Sequence, residues 1–174
     1  RTPGLLQRIA EAARAPDRPD HPGARPTIAL DLANPYIVAD SRDEVSAVIA
    51  SYVDVLFSTP AELDSLGITP DVDTLVIKES PVGGKIIKPT ETIPFSGTVK
   101  PEVDPTGSGD AFAAVYLCAQ ASGPQASAAD THRAATLAHL AGGACAGQLG
   151  VQVDLATLGR IRSALLDGPR STAL

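Results

Sequence analysis

The sequence has no methionine at all, not even at position 1, so we expect that the chain does not begin where its gene begins. It has no apolar run near the roughly 18 residues that cross a bilayer, and no leader of basic, apolar and small residues opens it. These two absences make a cytoplasmic protein without a membrane partner the expectation. Basic residues are the scarcer charge, 14 against 20 acidic ones, for a net charge of -6. No Lys/Arg cluster offsets that balance, so nucleic acid is excluded as a bulk partner. Only two cysteines occur, Cys118 and Cys145, both within helical patterns and without metal-ligand spacing. Buried free thiols are expected in preference to a disulfide. Internal repeats and low-complexity segments are also lacking.

What is present is a globular composition, 44% hydrophobic over 174 residues, enough to bury a sizeable core in one domain or a little more. Residues 2–14 place Leu5, Leu6, Ile9, Ala12 and Ala13 on one helical face. Residues 16–26 hold four prolines and alternating charge, the signature of a surface loop. Thr27–Leu32 is a short apolar run of the buried parallel type, ending in the turn signal Asn34-Pro35. A helix is expected from Ser41, with Glu44 completing a Ser-x-x-Glu capping box. Val53–Phe57 and Thr74–Lys78 read as strands, and Pro60–Gly67 as a short helix stopped by glycine. Lys85–Lys88 and Thr92–Phe95 read as hairpin-like or edge strands, because their prolines exclude a central place. Helices are expected over Ser108–Ala121, Ser127–Ala146 and Asp154–Leu166. Strands alternating with helices predict an α/β fold with a parallel sheet covered on both faces.

The most informative stretch is Asp104-Pro105-Thr106-Gly107-Ser108-Gly109-Asp110-Ala111-Phe112. A Gly-x-Gly turn opening a helix leaves backbone N–H groups unpaired and pointing one way, with the positive end of the helix dipole behind them. That is an anion site. An acidic residue in such a turn repels an anion if holding the anion is the only task. Asp110 fits instead as the acceptor of a proton from a nucleophile attacking a bound phosphoryl group.

The pattern Asp-x-Thr-Gly-x-Gly-Asp resembles the C-terminal signature of the PfkB/ribokinase family of small-molecule kinases. The resemblance implies Asp110 as general base and Gly107, Ser108 and Gly109 as the anion hole, Ser108 standing where Ala is commoner. It continues, in order, over residues 27–160. Val53–Leu63 is similar to the family's strand followed by Asn-x-x-Glu, which makes Glu62 the carboxylate that orders the Mg²⁺ of the nucleotide; Thr59 replaces the usual Asn. Val76–Gly84 is similar to the strand and turn Val-x-(Thr/Lys)-x-Gly-x-x-Gly, with Gly83 matching and Ser80 departing, and makes Lys78 a phosphate contact. His139, in Ala134–Gly143 and followed by Gly150, takes the place of the Asn or His that borders adenine. Thr106, Lys78, Gly83, His139 and Gly142 are thus the nucleotide contacts that the resemblance implies. Asp31–Val38 and Tyr52–Phe57 lean towards the adenosine-kinase-like branch.

The fold implied by the resemblance is a three-layer αβα, ribokinase-like (Rossmann-like) fold with a mainly parallel sheet, matching the family's C-terminal half only. Residues 1–174 would form a single domain incomplete at its N-terminal side: a helix and surface loop over 1–26, and a nucleotide-binding, catalytic core over 27–168. The implied activity is transfer of the γ-phosphoryl group of ATP, with Mg²⁺, to a primary hydroxyl of a sugar or nucleoside, adenosine being favoured. Some relatives also use a monovalent cation near the anion hole. The missing half leaves a separately supplied N-terminal half, or a homo-oligomer, as partners besides the small substrate. A non-catalytic nucleotide-binding or regulatory module derived from such a kinase is the alternative. An unrelated doubly wound domain binding another phosphorylated ligand ranks behind both.

Overall fold

The structure is a computed structural model that describes residues 4–15, 25–97, 101–121 and 127–166. The expected loop over 16–24, the approach to the glycine stretch at 98–100 and the break at 122–124 lie outside the described residues. The chain divides into two compact units, Arg1–Lys78 with Ile86–Thr92, and Glu79–Lys85 with Ile93–Leu174.

The first unit begins with α1 (Leu5–Arg14) and continues through β1 (Ala29–Asp31), α2 (Pro35–Asp40), α3 (Arg42–Tyr52), β2 (Val55–Ser58), α4 (Pro60–Leu66) and β3 (Thr74–Lys78). β1 pairs with β2 in parallel, Ala29 opposite Val55 and Asp31 opposite Phe57. β2 pairs with β3 in parallel, Val55 opposite Thr74 and Ser58 opposite Ile77. Helices fill both crossovers, as parallel neighbours require. Leu56 and Val76, at 0% exposure, show why these strands read as unbroken apolar runs. Leu32, Val38, Val45, Val48, Ile49, Leu66 and Leu75 complete the aliphatic core.

β4 (Gly83–Lys88) and β5 (Glu91–Ser96) extend the sheet, whose order is β1-β2-β3-β4-β5. Links of four residues before β4 and two before β5 are far below the roughly dozen of a parallel crossover. These last steps are therefore hairpins. Pro94 sits in the edge strand β5, where a missing donor is tolerated. β4 is not an edge strand, because its prolines, Pro81 and Pro89, flank it and leave its own donors intact.

The second unit is built on α5 (Ser108–Ala121), α6 (Ala128–Ala146) and α7 (Leu155–Leu166). Phe112, Tyr116, Ala135, Leu137, Ala138, Ala141 and Cys145 are buried there. Phe112 lies 5.7 Å from Phe95 and stacks on Tyr116 at 6.3 Å. Burial pushes the Tyr116 hydroxyl up to about 12.

Three local readings change. Asn34-Pro35 is not a free turn: the Asn34 side chain accepts from the N–H groups of Tyr36 and Ile37 and starts α2. Ser41 makes no side-chain cap, because its backbone already closes α2 against Ile37 and Val38. Capping boxes form instead at Thr59 with Glu62 and at Ser127 with Asp130. Gly67 does end α4, in the left-handed region at φ 70°. Neither Cys118 nor Cys145 forms a disulfide, but Cys118 is exposed and only Cys145 is buried. Among the described residues no helix is long and apolar enough to cross a membrane.

One ion pair ties the first unit together. Arg14 donates to both carboxylate oxygens of Asp54, each at 2.6 Å, and to the carbonyls of Tyr52 and Pro26. Asp54 also accepts from the Ile28 N–H at 2.7 Å. The last turn of α1, the entry to β1 and the entry to β2 thus meet at one carboxylate. Both side chains are only 15% and 12% exposed, and the second cation on Asp54, Arg25 at 3.1 Å, is 76% exposed, so removing Arg14 leaves a largely desolvated anion with only a solvated partner and the Ile28 N–H. Arg14→Ala should cost roughly 2–3 kcal/mol, read as a lower urea midpoint at unchanged slope. A loss near the 0.5 kcal/mol or so of a surface pair would contradict this reading.

Candidate functional site

The glycine stretch enters α5 through an irregular segment fixed from several sides. The N–H groups of Val103 and Asp104 both donate to the Ala146 carbonyl, at 2.8 and 3.1 Å, at the end of α6. The Asp104 carboxylate accepts from the N–H of Thr106 at 3.0 Å and from that of Gly150 at 3.1 Å. Hydrogen bonds from Thr106, then from Gly150, hold the Asp104 carboxyl below its usual range. The buried Cys145 thiol donates to the Thr106 carbonyl at 3.5 Å.

Gly107 is required twice over. Its φ is +78°, in the left-handed region, and a Cβ there would lie 2.4 Å from Cγ1 of Val151. Ser108 then donates to the Pro105 carbonyl, and Ala111 to that of Gly107. Among the described residues the N–H groups of Gly109 and Asp110 have no acceptor, as expected in a first helical turn. Asp110 is exposed in that same turn, and its carboxylate accepts no hydrogen bond among the described residues. Gly142 lets α6 run against this start: a Cβ there would stand 3.0 Å from the Ser108 carbonyl. Thr106, Gly107, Ser108, Gly109, Asp110 and Gly142 are thereby brought together.

His139 lies on the same helix as Gly142. Its ring centroid is 6.3 Å from that of Phe95, and it leaves no room for a side chain at Gly97, whose Cβ would meet Nε2 at 1.8 Å. Gly83 has φ +127° and would place a Cβ 2.2 Å from the Phe95 carbonyl. Gly83, Phe95, Gly97 and His139 therefore form a second close-packed group. Partial burial pushes the His139 imidazole below its ordinary value.

Lys78 and Glu62 belong to the first unit. Lys78 donates to Asp31 at 2.6 Å, the pair sitting at the C-terminal ends of β3 and β1 with β2 between them. Ends of parallel strands are where open α/β sheets bind ligands. Glu62 is 4% exposed. Its Oε2 accepts from the Thr59 N–H at 2.7 Å, while Thr59 Oγ1 accepts from the Glu62 N–H. Thr59, the departure from Asn, thus serves as the helix cap. Oε1 of Glu62 takes no hydrogen bond among the described residues, and no group of three or more His, Cys, Asp or Glu among them could hold a metal ion.

Sequence reasoning quoted Asp104 and Asp31 only as motif positions without a role, and did not single out Val151 or Gly97. Asp104-Pro105-Thr106 carries a legible signal, an Asp two residues before a free backbone N–H in a turn. Val151 and Gly97 carry none, since each matters only through a residue distant in sequence.

No protein-family model matches the chain, and no curated protein matches it. Solved structures do. Adenosine kinase from Sinorhizobium meliloti aligns at TM-score 0.68 and 23% identity over 79% of this chain and 44% of its own. Aminoimidazole riboside kinase from Salmonella enterica, complexed with aminoimidazole riboside and an ATP analog, aligns at 0.69 and 19% identity over 90% and 57%. Fructokinase from Vibrio cholerae, with fructose, ADP and calcium bound, aligns at 0.67 and 19% identity over 78% and 50%. The chain spans about half the length of these structures. It has the ribokinase-like α/β fold of PfkB/ribokinase-family sugar and nucleoside kinases.

The His139 environment sets a pH dependence. Its folded value lies below the unfolded value of 6.5, so the unfolded chain binds the proton more readily. The stability it contributes is complete above about pH 6.5 and is lost as pH falls through the folded value. Urea midpoints measured from about pH 7.5 down to about pH 5 should fall more steeply in the wild type than in His139→Asn. Equal slopes would contradict the burial of the ring.

Proposed function

We propose that this chain is the nucleotide-binding, catalytic half of an ATP-dependent kinase that phosphorylates a primary hydroxyl of a sugar or nucleoside, adenosine being favoured. The observation that carries the reading is the start of α5. Two N–H groups without an acceptor among the described residues, at Gly109 and Asp110, stand beside an exposed carboxylate in one turn, behind a glycine in the left-handed region. The shared fold with sugar and nucleoside kinases supports it.

In this reading the turn amides and the dipole of α5 receive the transferring phosphoryl group, where its charge develops. The acceptor oxygen forms a bond to the γ-phosphorus as the bond from that phosphorus to the β,γ-bridging oxygen breaks, and ADP leaves with the bonding pair. Asp110 takes the acceptor's proton. Asp110 suits that role because its carboxylate is exposed and uncommitted among the described residues, and the chemistry requires positioning more than covalent participation. Half-buried on α6, His139 would border the adenine. Mg²⁺ would supply charge neutralisation at the phosphates, and Glu62, whose Oε1 takes no hydrogen bond among the described residues, would help hold it. Lys78 would contact phosphate by exchanging its Asp31 partner.

A second reading, a non-catalytic nucleotide-binding module, is favoured by that same pair: at 2.6 Å, Asp31 already satisfies Lys78 without a phosphate. The two readings separate at Asp110. In the complete protein, Asp110→Asn should keep Mg·ATP affinity and lose turnover by roughly a thousandfold or more. Unchanged turnover would sink the assignment of the base. Absence of any turnover in the wild type, with every acceptor class supplied, would favour the module.

A further inference from the structure

The turn that receives the anion has little to hold it in shape. Residues 101–107 belong to no helix or strand, and Gly107 and Gly109 are the residues least restrained by their own backbone. An anion site built from amides works only if those amides are already aimed, because aligning them during binding consumes binding energy. Asp104 answers this need. A second carboxylate beside an anion-receiving turn repels the ligand unless its charge is committed elsewhere.

Its charge is committed. One oxygen accepts from the Thr106 N–H, two residues on, closing the turn locally. The other accepts from the Gly150 N–H, 46 residues away in sequence. Gly150 belongs to a loop braced by its own side chains. Gln148 Nε2 donates to the Gln152 carbonyl at 2.8 Å, Gln152 Nε2 donates to the Leu149 carbonyl at 3.0 Å, and the Gln152 N–H donates to the Gly150 carbonyl. The next residue, Val151, fills the space where a Cβ on Gly107 would stand. The Gly150 N–H and the Val151 side chain hold the same turn from the same loop, one by a charge-assisted hydrogen bond to Asp104 and one by contact with Gly107.

We infer that Asp104 is a positioning residue whose carboxylate staples the glycine turn to the braced loop 148–152 and so keeps the Gly109 and Asp110 amides aimed at the phosphoryl group. The inference rests on the proposed function for what the turn receives; the staple itself is independent of it. A consequence is that displacement of the 148–152 loop is transmitted to the anion turn, since the two share one carboxylate.

The test is residue-resolved amide exchange on the full chain, alongside titration with Mg·ATP and with magnesium triphosphate. In the unliganded wild type, the Thr106 and Gly150 amides should be protected although neither lies in a helix or strand. In Asp104→Asn both should exchange roughly ten- to hundredfold faster together, the loss expected for a charge-assisted hydrogen bond, while amides within α6 stay as they were. Affinity for both ligands should fall by a similar factor at temperatures well below the thermal midpoint, where the variant is fully folded, which a merely structural role would not produce. Exchange at Gly150 that is fast in the wild type, or unmoved by Asp104→Asn, overturns the staple. Unchanged ligand affinity despite released amides overturns the positioning role. If Asp104→Asn does not fold, the wild-type protection of Gly150 decides alone. Coupled amides in a wild type that binds neither ligand would refute the proposed function while leaving the staple standing.

Discussion

A helix cannot satisfy the N–H groups of its own first turn. In the second unit, the packing around α5 is consistent with keeping those of Gly109 and Asp110 open. Gly107 turns the chain through a left-handed conformation into the helix, with Val151 standing where a Cβ would fall. Gly142 allows α6 to lie against the Ser108 carbonyl, so the start of α5 is backed by a packed helix and not by water. The end of α6 then holds the incoming segment through the Ala146 carbonyl and the Cys145 thiol. Buttressing of this kind is what electrostatic preorganisation requires: the donors are set before the charge arrives.

Elements whose cause lies within a few residues were legible in the sequence. The glycine turn, the ends of α5 and α6, and the stop of α4 at Gly67 obey local rules about φ, caps and periodicity. β3 was legible because a doubly buried strand is a plain apolar run. α2 was not, because Asn34-Pro35 is equally a turn and a helix start, and only the acceptance of two N–H groups by Asn34 decides between them. The Ser41 box failed since its backbone was already engaged by the preceding helix. Partners far apart in sequence stayed hidden altogether: Arg14 with Asp54, Lys78 with Asp31, Asp104 with Gly150. Side-chain charge says that a partner is needed, and topology alone says which one.

The same distinction applies to the candidate site. Asp110 and its glycines could be singled out as candidates because their pattern runs through consecutive residues. Gly97 and Val151 were missed because each defines a surface by excluding something: Gly97 makes room for the His139 ring, and Val151 denies room to a Cβ at Gly107. Thr59 shows how a departure from a familiar pattern can be read too simply. It replaces a polar residue in a motif, yet with Glu62 it forms a complete reciprocal cap that positions that carboxylate.

The central claim is that the amides opening α5 receive the phosphates of a nucleotide. The most direct measurement is the backbone amide spectrum of this chain, titrated with ATP in the presence and absence of Mg²⁺. The account predicts saturable shifts centred on Gly107, Ser108, Gly109 and Asp110, with a ring-current shift at His139 from the adenine. Saturable binding that leaves those four amides unmoved would contradict it.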